Sequence, residues 1–395
     1  MAQYSVKKVF QYIKAKDIFD LLVCMFVFPF AVVAKIFIRN FWLVCEEKDE
    51  ARDNGYWFFK YVRENKPKQK IAYAINKKSP DYEKVKTLGK VVSYGTVSHW
   101  FWYIVADKNI SSQKGGKPNA AVCYFFEVVL KLRKRNRIFL QHGVTVSDAK
   151  WLYYENCYFD EFLCATKPEY EYIKKRFGYS DNNIALTGFS RYDNLVDVKV
   201  DKDLILIMPT WRDWLGGLEI VSEKRAFTDS EYFKKWSSFI NSTRLSKVLE
   251  ENGKHAVFYP HRNMQKFISE FKTESPLITI ADWRNYDVQD LLKRAALLIT
   301  DYSSVFFDFA YMCKPIIFYQ FDEAEFRKRQ YQQGYFDYHN TPLGFFASDE
   351  ETAVTAIEDK LNNGLKKTNE KVIEGIFGYR DKKNNERVYN IVKGR

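Results

Sequence analysis

A chain of 395 residues with 46% hydrophobic content buries a large core, and its length favours two domains over one. Lys and Arg outnumber Asp and Glu by 62 to 50, a formal charge of +12, which points to an anionic partner: phosphate esters, nucleic acid or an acidic membrane surface. Six scattered cysteines (Cys24, Cys45, Cys123, Cys157, Cys164, Cys313), with no Cys-x-x-Cys pair, speak against a zinc module and for a reduced, cytoplasmic setting.

Residues 1–40 stand apart. Six basic residues (Lys7, Lys8, Lys14, Lys16, Lys35, Arg39) flank the apolar run LLVCMFVFPFAVVA at residues 21–34. As a helix this run reaches about 21 Å, short of a hydrocarbon layer of roughly 30 Å, and Pro29 interrupts it. No small-residue cleavage site follows, so a signal peptide is not expected. The segment reads as a membrane-associating helical segment lying in the cytoplasmic interface, with a full span or a buried first-domain helix as the alternatives.

From residue 70 onward, short apolar runs alternate with helical or loop segments. KIAYAI (70–75), KVVSY (90–94), RIFLQ (137–141), EFLCAT (161–166) and IALTG (184–188) fill the first half. LILIMPT (204–210), HAVFYP (255–260), LITIA (277–281), ALLIT (296–300) and PIIFYQF (315–321) fill the second. Most are continuous rather than alternating, as in strands covered on both faces, so each half is expected to be a Rossmann-like lobe with a parallel sheet. The polar stretch 191–203 is the linker, giving lobes at 41–195 and 196–395, and ligands are expected at the carboxyl ends of strands. After Thr368 the chain is polar and lysine-rich, with helical stretches able to pack back on both lobes.

Four features fall at strand ends. Gln141-His142-Gly143 ends RIFLQ; a histidine there can take a proton from an attacking hydroxyl, or simply be bonded in the turn, and the glycine lets the backbone turn tightly. Five basic residues between 131 and 137 (Lys131, Arg133, Lys134, Arg135, Arg137) precede it, as a solvated face or a contact for anionic lipid or diphosphate. Arg212, after LILIMPTW, can clamp phosphate or form a surface ion pair. His261-Arg262, after HAVFYP, set two cationic donors side by side, suited to the charge on a leaving phosphate. Asp301-Tyr302-Ser303-Ser304 follows ALLIT and opens the helix VFFDFAYM, either as an ordinary cap or as an anion site at a helix start.

The order of the pieces is more specific than any one. QHG, TGFSRYDNL (187–195), PTWR, YPHRNM and ITDYSSVFFDFAYMCKPIIFY together resemble the CDP-glycerol glycerophosphotransferase family, the teichoic acid primases and polymerases, over residues 40–380. The resemblance implies a GT-B type α/β fold of two facing Rossmann-like lobes, with the donor in the second and the acceptor approaching from the first. It implies transfer of glycerol phosphate from CDP-glycerol, or ribitol phosphate from CDP-ribitol, to a lipid-linked glycan or polymer acceptor, with CMP leaving. The setting it implies is peripheral, on the cytoplasmic face of the bacterial membrane, in teichoic acid or capsule synthesis.

On the same resemblance, His142 is the base or acceptor-positioning group, and Gly143 lies beside it. His261 and Arg262 meet the pyrophosphate, although HRNM departs from the HPxM-like form of the family. Ser303 and Ser304 bind phosphate, Asp301 and Asp308 order the turn or meet the ribose, and Arg212 matches by motif only. Lacking the large extra N-terminal region of some polymerases, the chain is expected to add one or a few units. No cofactor is required, and Mg²⁺ held by the donor phosphates is compatible with the chemistry. A nucleotide-sugar glycosyltransferase of the same fold is the alternative; with no recognisable RNA or DNA module, nucleic acid is not an expected partner.

Overall fold

The computed structural model describes residues 14–132, 136–195, 199–216 and 224–395. Lys7 and Lys8, and Arg133, Lys134 and Arg135 of the basic run, lie outside the described residues. The described chain forms two compact units. One holds the residues up to His142, Lys150–Asp193 and Asp381–Arg395; the other holds Gly143–Ala149 and Asn194–Arg380.

Seven parallel strands make the sheet of the first unit, in the order β3-β2-β1-β4-β5-β6-β7. They are β1 Phe41–Cys45, β2 Lys70–Ile75, β3 Lys90–Ser93, β4 Lys108–Ser111, β5 Arg137–Phe139, β6 Glu161–Cys164 and β7 Ile184–Leu186. Because side chains alternate across a strand, β1 serves both faces. Trp42 and Val44 join Phe58, Phe59 and Tyr73 on one side, while Phe41, Leu43 and Cys45 join Trp100 and Tyr103 on the other. Two of these strands were not foreseen. FWLVC continues the apolar character of the N-terminal run, and KNIS is polar, though Lys108 and Asn109 are buried in it.

The second unit repeats the winding with six parallel strands in the order β10-β9-β8-β11-β12-β13. These are β8 Leu204–Met208, β9 His255–Phe258, β10 Ile278–Ile280, β11 Leu297–Thr300, β12 Ile316–Tyr319 and β13 Phe345–Ala347. Trp236, Phe239, Phe258, Leu297, Ile299 and Tyr319 centre its core. In both sheets the first strand is central and the order reverses beside it, between β1 and β4 and between β8 and β11. That is the switch point where open α/β sheets bind ligands.

The boundary differs from the expected 196–395 lobe. The helix Asn384–Gly394 inserts Val388, Tyr389 and Val392 into the first unit's core. Asp193 accepts from the Asn384 and Asn385 N–H groups, both at 2.9 Å, filling the helix's open N-terminus. The N-terminal helix runs from Ala15 to Phe37 with Pro29 inside. At 1.5 Å per residue it is about 34 Å long, so the 14-residue run understated its reach. Only 22% of its most apolar window is buried, which removes the buried-helix alternative. Cys24, Val27 and Ala31 form one stripe in a shared cluster with Trp100 and Tyr103, whereas Phe26 and Phe37 are 70% and 79% exposed. Asn119 ties down its start through Asp17 and Asp20, at 2.8 and 2.7 Å.

Candidate active site

In the first unit β5 ends beneath an unusual turn. Gln141, not Gly143, takes the left-handed conformation, at φ 59°. Its side chain offsets that strain by donating to the Leu163 carbonyl at 2.7 Å and to Glu169 at 3.0 Å. Asn54 holds the same turn from the start of the helix Asn54–Asn65, donating to the Gln141 carbonyl at 2.7 Å. His142 is thereby presented with its side chain 61% exposed and its Nδ1 at 2.6 Å from Asp53 Oδ2.

Asp53 caps the helix Asn54–Asn65, accepting from the Asn54 N–H at 2.7 Å. The buried Arg191 grips both partners, donating from Nη1 to Asp53 Oδ1 at 2.9 Å and to the His142 carbonyl at 2.8 Å. Glu46, just past β1, accepts from the N–H groups of Arg52, Asp53 and Tyr56, which fixes the loop carrying Asp53. Burial, with the Asp53 charge beside it, pushes the Glu46 carboxyl up to about 7. For His142 the surrounding protein disfavours the charged ring, yet the charge and hydrogen bond of Asp53 prevail and raise its pKa. Asp53 is held below its ordinary range, because His142 and Arg191 outweigh the cost of burial.

Neither Asp53 nor Arg191 was singled out from the sequence. Arg191 does lie within TGFSRYDNL, where a buried arginine two residues before Asp193 now has a reason: one residue braces the His142 pair and the other anchors the C-terminal helix.

In the second unit Arg212 and Asp301 meet at the switch point, but not as a phosphate clamp. The Arg212 guanidinium is fully enclosed; it forms a fork on Asp322 at 2.7 and 3.0 Å and reaches Asp301 at 2.9 Å. Its Nη1 donates to the Thr210 carbonyl at 3.0 Å. The expected substrate-binding or surface role is therefore replaced by a buried tie between the ends of β8, β11 and β12. Asp301 orders the turn as expected, accepting from the Thr210 and Tyr302 N–H groups at 2.7 Å each.

Ser304 begins the helix Val305–Tyr311 without capping it through its side chain. Ser303 is largely buried and Asp308 is buried. Gly143, which belongs with this unit, abuts Ser304: a Cβ there would lie 2.2 Å from Ser304 Oγ. Its need for glycine is thus close packing rather than the tight turn expected.

His261 follows β9 and starts the 3₁₀ segment Arg262–Glu270, with its ring Nδ1 accepting from the Asn263 N–H at 3.2 Å. Its backbone N–H bonds the Pro209 carbonyl at 3.1 Å, linking it to the end of β8, and its ring faces Trp211 at 6.1 Å. Arg262 is exposed and lies flat on Trp283, 3.4 Å from the ring centre.

Two parallel-sheet Rossmann-like units define a GT-B type fold. The likeness extends over 97% of this chain and 98% of a wall teichoic acid polymerase TagF, with a TM-score of 0.66 at 16% identity. The family model described as CDP-glycerol:poly(glycerophosphate) glycerophosphotransferase matches residues 29–394, and the chain belongs to that family. It is 33% identical to the minor teichoic acid biosynthesis protein GgaB of Bacillus subtilis (strain 168), over 89% of this chain and 39% of that protein. It is 25% identical to a teichoic acid poly(glycerol phosphate) polymerase of the same organism, over 76% of this chain and 41% of that protein. The chain thus spans about two fifths of the length of these relatives.

Proposed function

We propose that this chain transfers glycerol phosphate from CDP-glycerol to a hydroxyl of a polyprenyl-diphosphate-linked or polymer acceptor, releasing CMP, in teichoic acid or capsule synthesis. The observation that carries the reading is the Asp53–His142 pair at 2.6 Å on an exposed ring. Asp53 accepts at Nδ1, which fixes the tautomer and leaves Nε2 to take the acceptor's proton. The acceptor oxygen bonds to the phosphorus bearing glycerol, and the bond to the CMP phosphate oxygen breaks. The proton goes to His142 and the electron pair to CMP.

For the departing charge, His261 has its Nδ1 occupied as an acceptor, so the neutral ring carries its proton on Nε2 and donates there. Ser303, Ser304 and Arg262 add donors, and Arg212, Asp301 and Asp308 keep the donor turn in shape. Phosphoryl transfer needs mainly positioning and charge stabilisation, which such groups supply. Nothing in this assignment requires a protein-held metal; Mg²⁺ carried on the donor diphosphate is compatible with it. The exposed apolar face of Ala15–Phe37, with Lys16, Lys35 and Arg39 about it, supports peripheral attachment at the cytoplasmic face, where a lipid-linked acceptor is met.

The test is nucleotide release by purified protein given CDP-glycerol, CDP-ribitol or a panel of UDP-sugars, together with a lipid-linked acceptor. CMP from CDP-glycerol, with a product heavier by glycerol phosphate, is expected. CMP from CDP-ribitol alone would move the chain to the ribitol branch, and UDP alone would overturn the phosphotransferase reading.

A further inference from the structure

Among the described residues, most of the exposed large apolar side chains fall in two segments of the first unit: the helix Ala15–Phe37 and residues 120–132. The second reads AAVCYFFEVVLKL and runs from the helix Ala120–Tyr124 through the π-helical turn Phe125–Val129. Along it Tyr124, Phe125, Val129, Leu130 and Leu132 stand between 38% and 64% exposed. Both segments back onto one cluster, with Cys24, Val27 and Ala31 from the first, Val122 and Cys123 from the second, and Phe126 packed against it. Asn119 ties the start of the second segment to Asp17 and Asp20 of the first. The two thus adjoin, each with one face buried and the other bare, and contiguous apolar surface of this kind marks an interaction site.

The charges in these segments are sorted by sign. Glu127, the one carboxylate of residues 120–132, is turned inward, where Lys117, Arg137 and the Tyr103 hydroxyl donate to it at 2.5, 2.6 and 2.9 Å. In the helix Asp20 is buried and Asp17 is held by Asn119, so its carboxylates are tied down as well. Lys14, Lys16, Lys35, Arg39 and Lys131 remain exposed. Lys114 Nζ lies 6.0 Å from the rings of Tyr124 and Trp151 at the margin of the second segment. An apolar face with cations and aromatic rings at its edge and its carboxylates inward fits an anionic bilayer surface. A second copy of the chain would instead set basic residues against basic residues in a two-fold contact.

We propose that residues 120–132 form a second membrane-contact band, seated on the same anionic lipid surface as the exposed face of Ala15–Phe37. One interfacial helix would leave the first unit free to roll about the helix axis, and a second band beside it removes that freedom. The band begins where residues 111–119 leave β4, next to β1, so the fixed roll also sets how the switch point faces the bilayer. This placement rests on the peripheral attachment proposed above and is independent of the transfer reaction.

All six native cysteines are buried, so a single cysteine introduced at an exposed position can carry an environment-sensitive dye. The full chain is labelled at Leu130→Cys, at Phe26→Cys on the helix or at Phe345→Cys in the second unit, and mixed with phosphatidylglycerol or phosphatidylcholine vesicles. The dyes at 130 and 26 are expected to shift to the blue, further on phosphatidylglycerol than on phosphatidylcholine, and the dye at 345 to stay unchanged. Phe125→Ser combined with Leu132→Ser should weaken flotation with phosphatidylglycerol vesicles by about ten-fold. Should that variant fail to fold by near-UV circular dichroism, the dyes decide alone. A silent dye at 130 beside a responding one at 26 overturns the second band and leaves attachment by the helix; silence at both, with no flotation, removes both. A chain dimeric by light scattering, with the dye at 130 already shielded before vesicles are added, gives the band to a second copy and overturns the proposal.

Discussion

The two sheets have the same winding and put basic residues at the same kind of place, yet they use them oppositely. Past β5, His142 is 61% exposed with one carboxylate behind it, whereas past β8, Arg212 is fully enclosed between two. A cation at a strand's carboxyl end becomes chemistry or scaffold according to whether its far side meets solvent. Removing each should therefore damage a different quantity.

The largest effect is expected from His142→Ala. Loss of a positioned base costs about 10²–10⁴-fold in turnover, read by CMP release, while the urea midpoint stays near the native value. Arg212→Met should do the reverse first. It strands Asp301 and Asp322 in the core, and removing one partner of a buried pair costs about 3–5 kcal/mol, measurable by urea denaturation. If Arg212→Met unfolds at the native midpoint and loses only donor affinity, the contrast fails. Gly143→Ala would drive a methyl group into Ser304 and should lower turnover by about 10²-fold, the scale on which misplaced groups cost rate, with little change in stability.

Smaller effects concern pH. Asp53 raises the His142 pKa, so Asp53→Asn should shift the acid limb of the rate profile to lower pH while reducing its plateau. An unshifted limb would dissociate the pair from the titration. Because the folded His142 pKa lies above its unfolded value, its contribution to stability is fully present below the ordinary histidine range. That contribution is lost as pH rises through the folded value. The stability gap between native protein and His142→Ala should accordingly be wider at pH 5.5 than at pH 9, by differential scanning calorimetry.

Strand ends and their order were legible because continuous apolar runs report burial on both faces, and the turn residues after them stand out. Partners were not. Asp53 lies 89 residues before His142, and Asp322 lies 110 after Arg212, so neither pairing leaves a local pattern. Arg212 looked available for phosphate because residue type does not say which side of a strand end is covered. The polar stretch after Thr368 shows helical character able to pack on both lobes, without a choice between them. The Asn384-Asn385 start of its last helix meets Asp193 across 191 residues, a match only the folded chain reveals.

The return of Asn384–Gly394 to the first unit bears on the order in which the protein is made. The second unit's main segment, Asn194–Arg380, is an insertion within the first and is synthesised ahead of Val388, Tyr389 and Val392, which complete the earlier core. The nascent first unit therefore keeps an open apolar face until Asn384–Gly394 emerges, after the whole of the segment inserted in it.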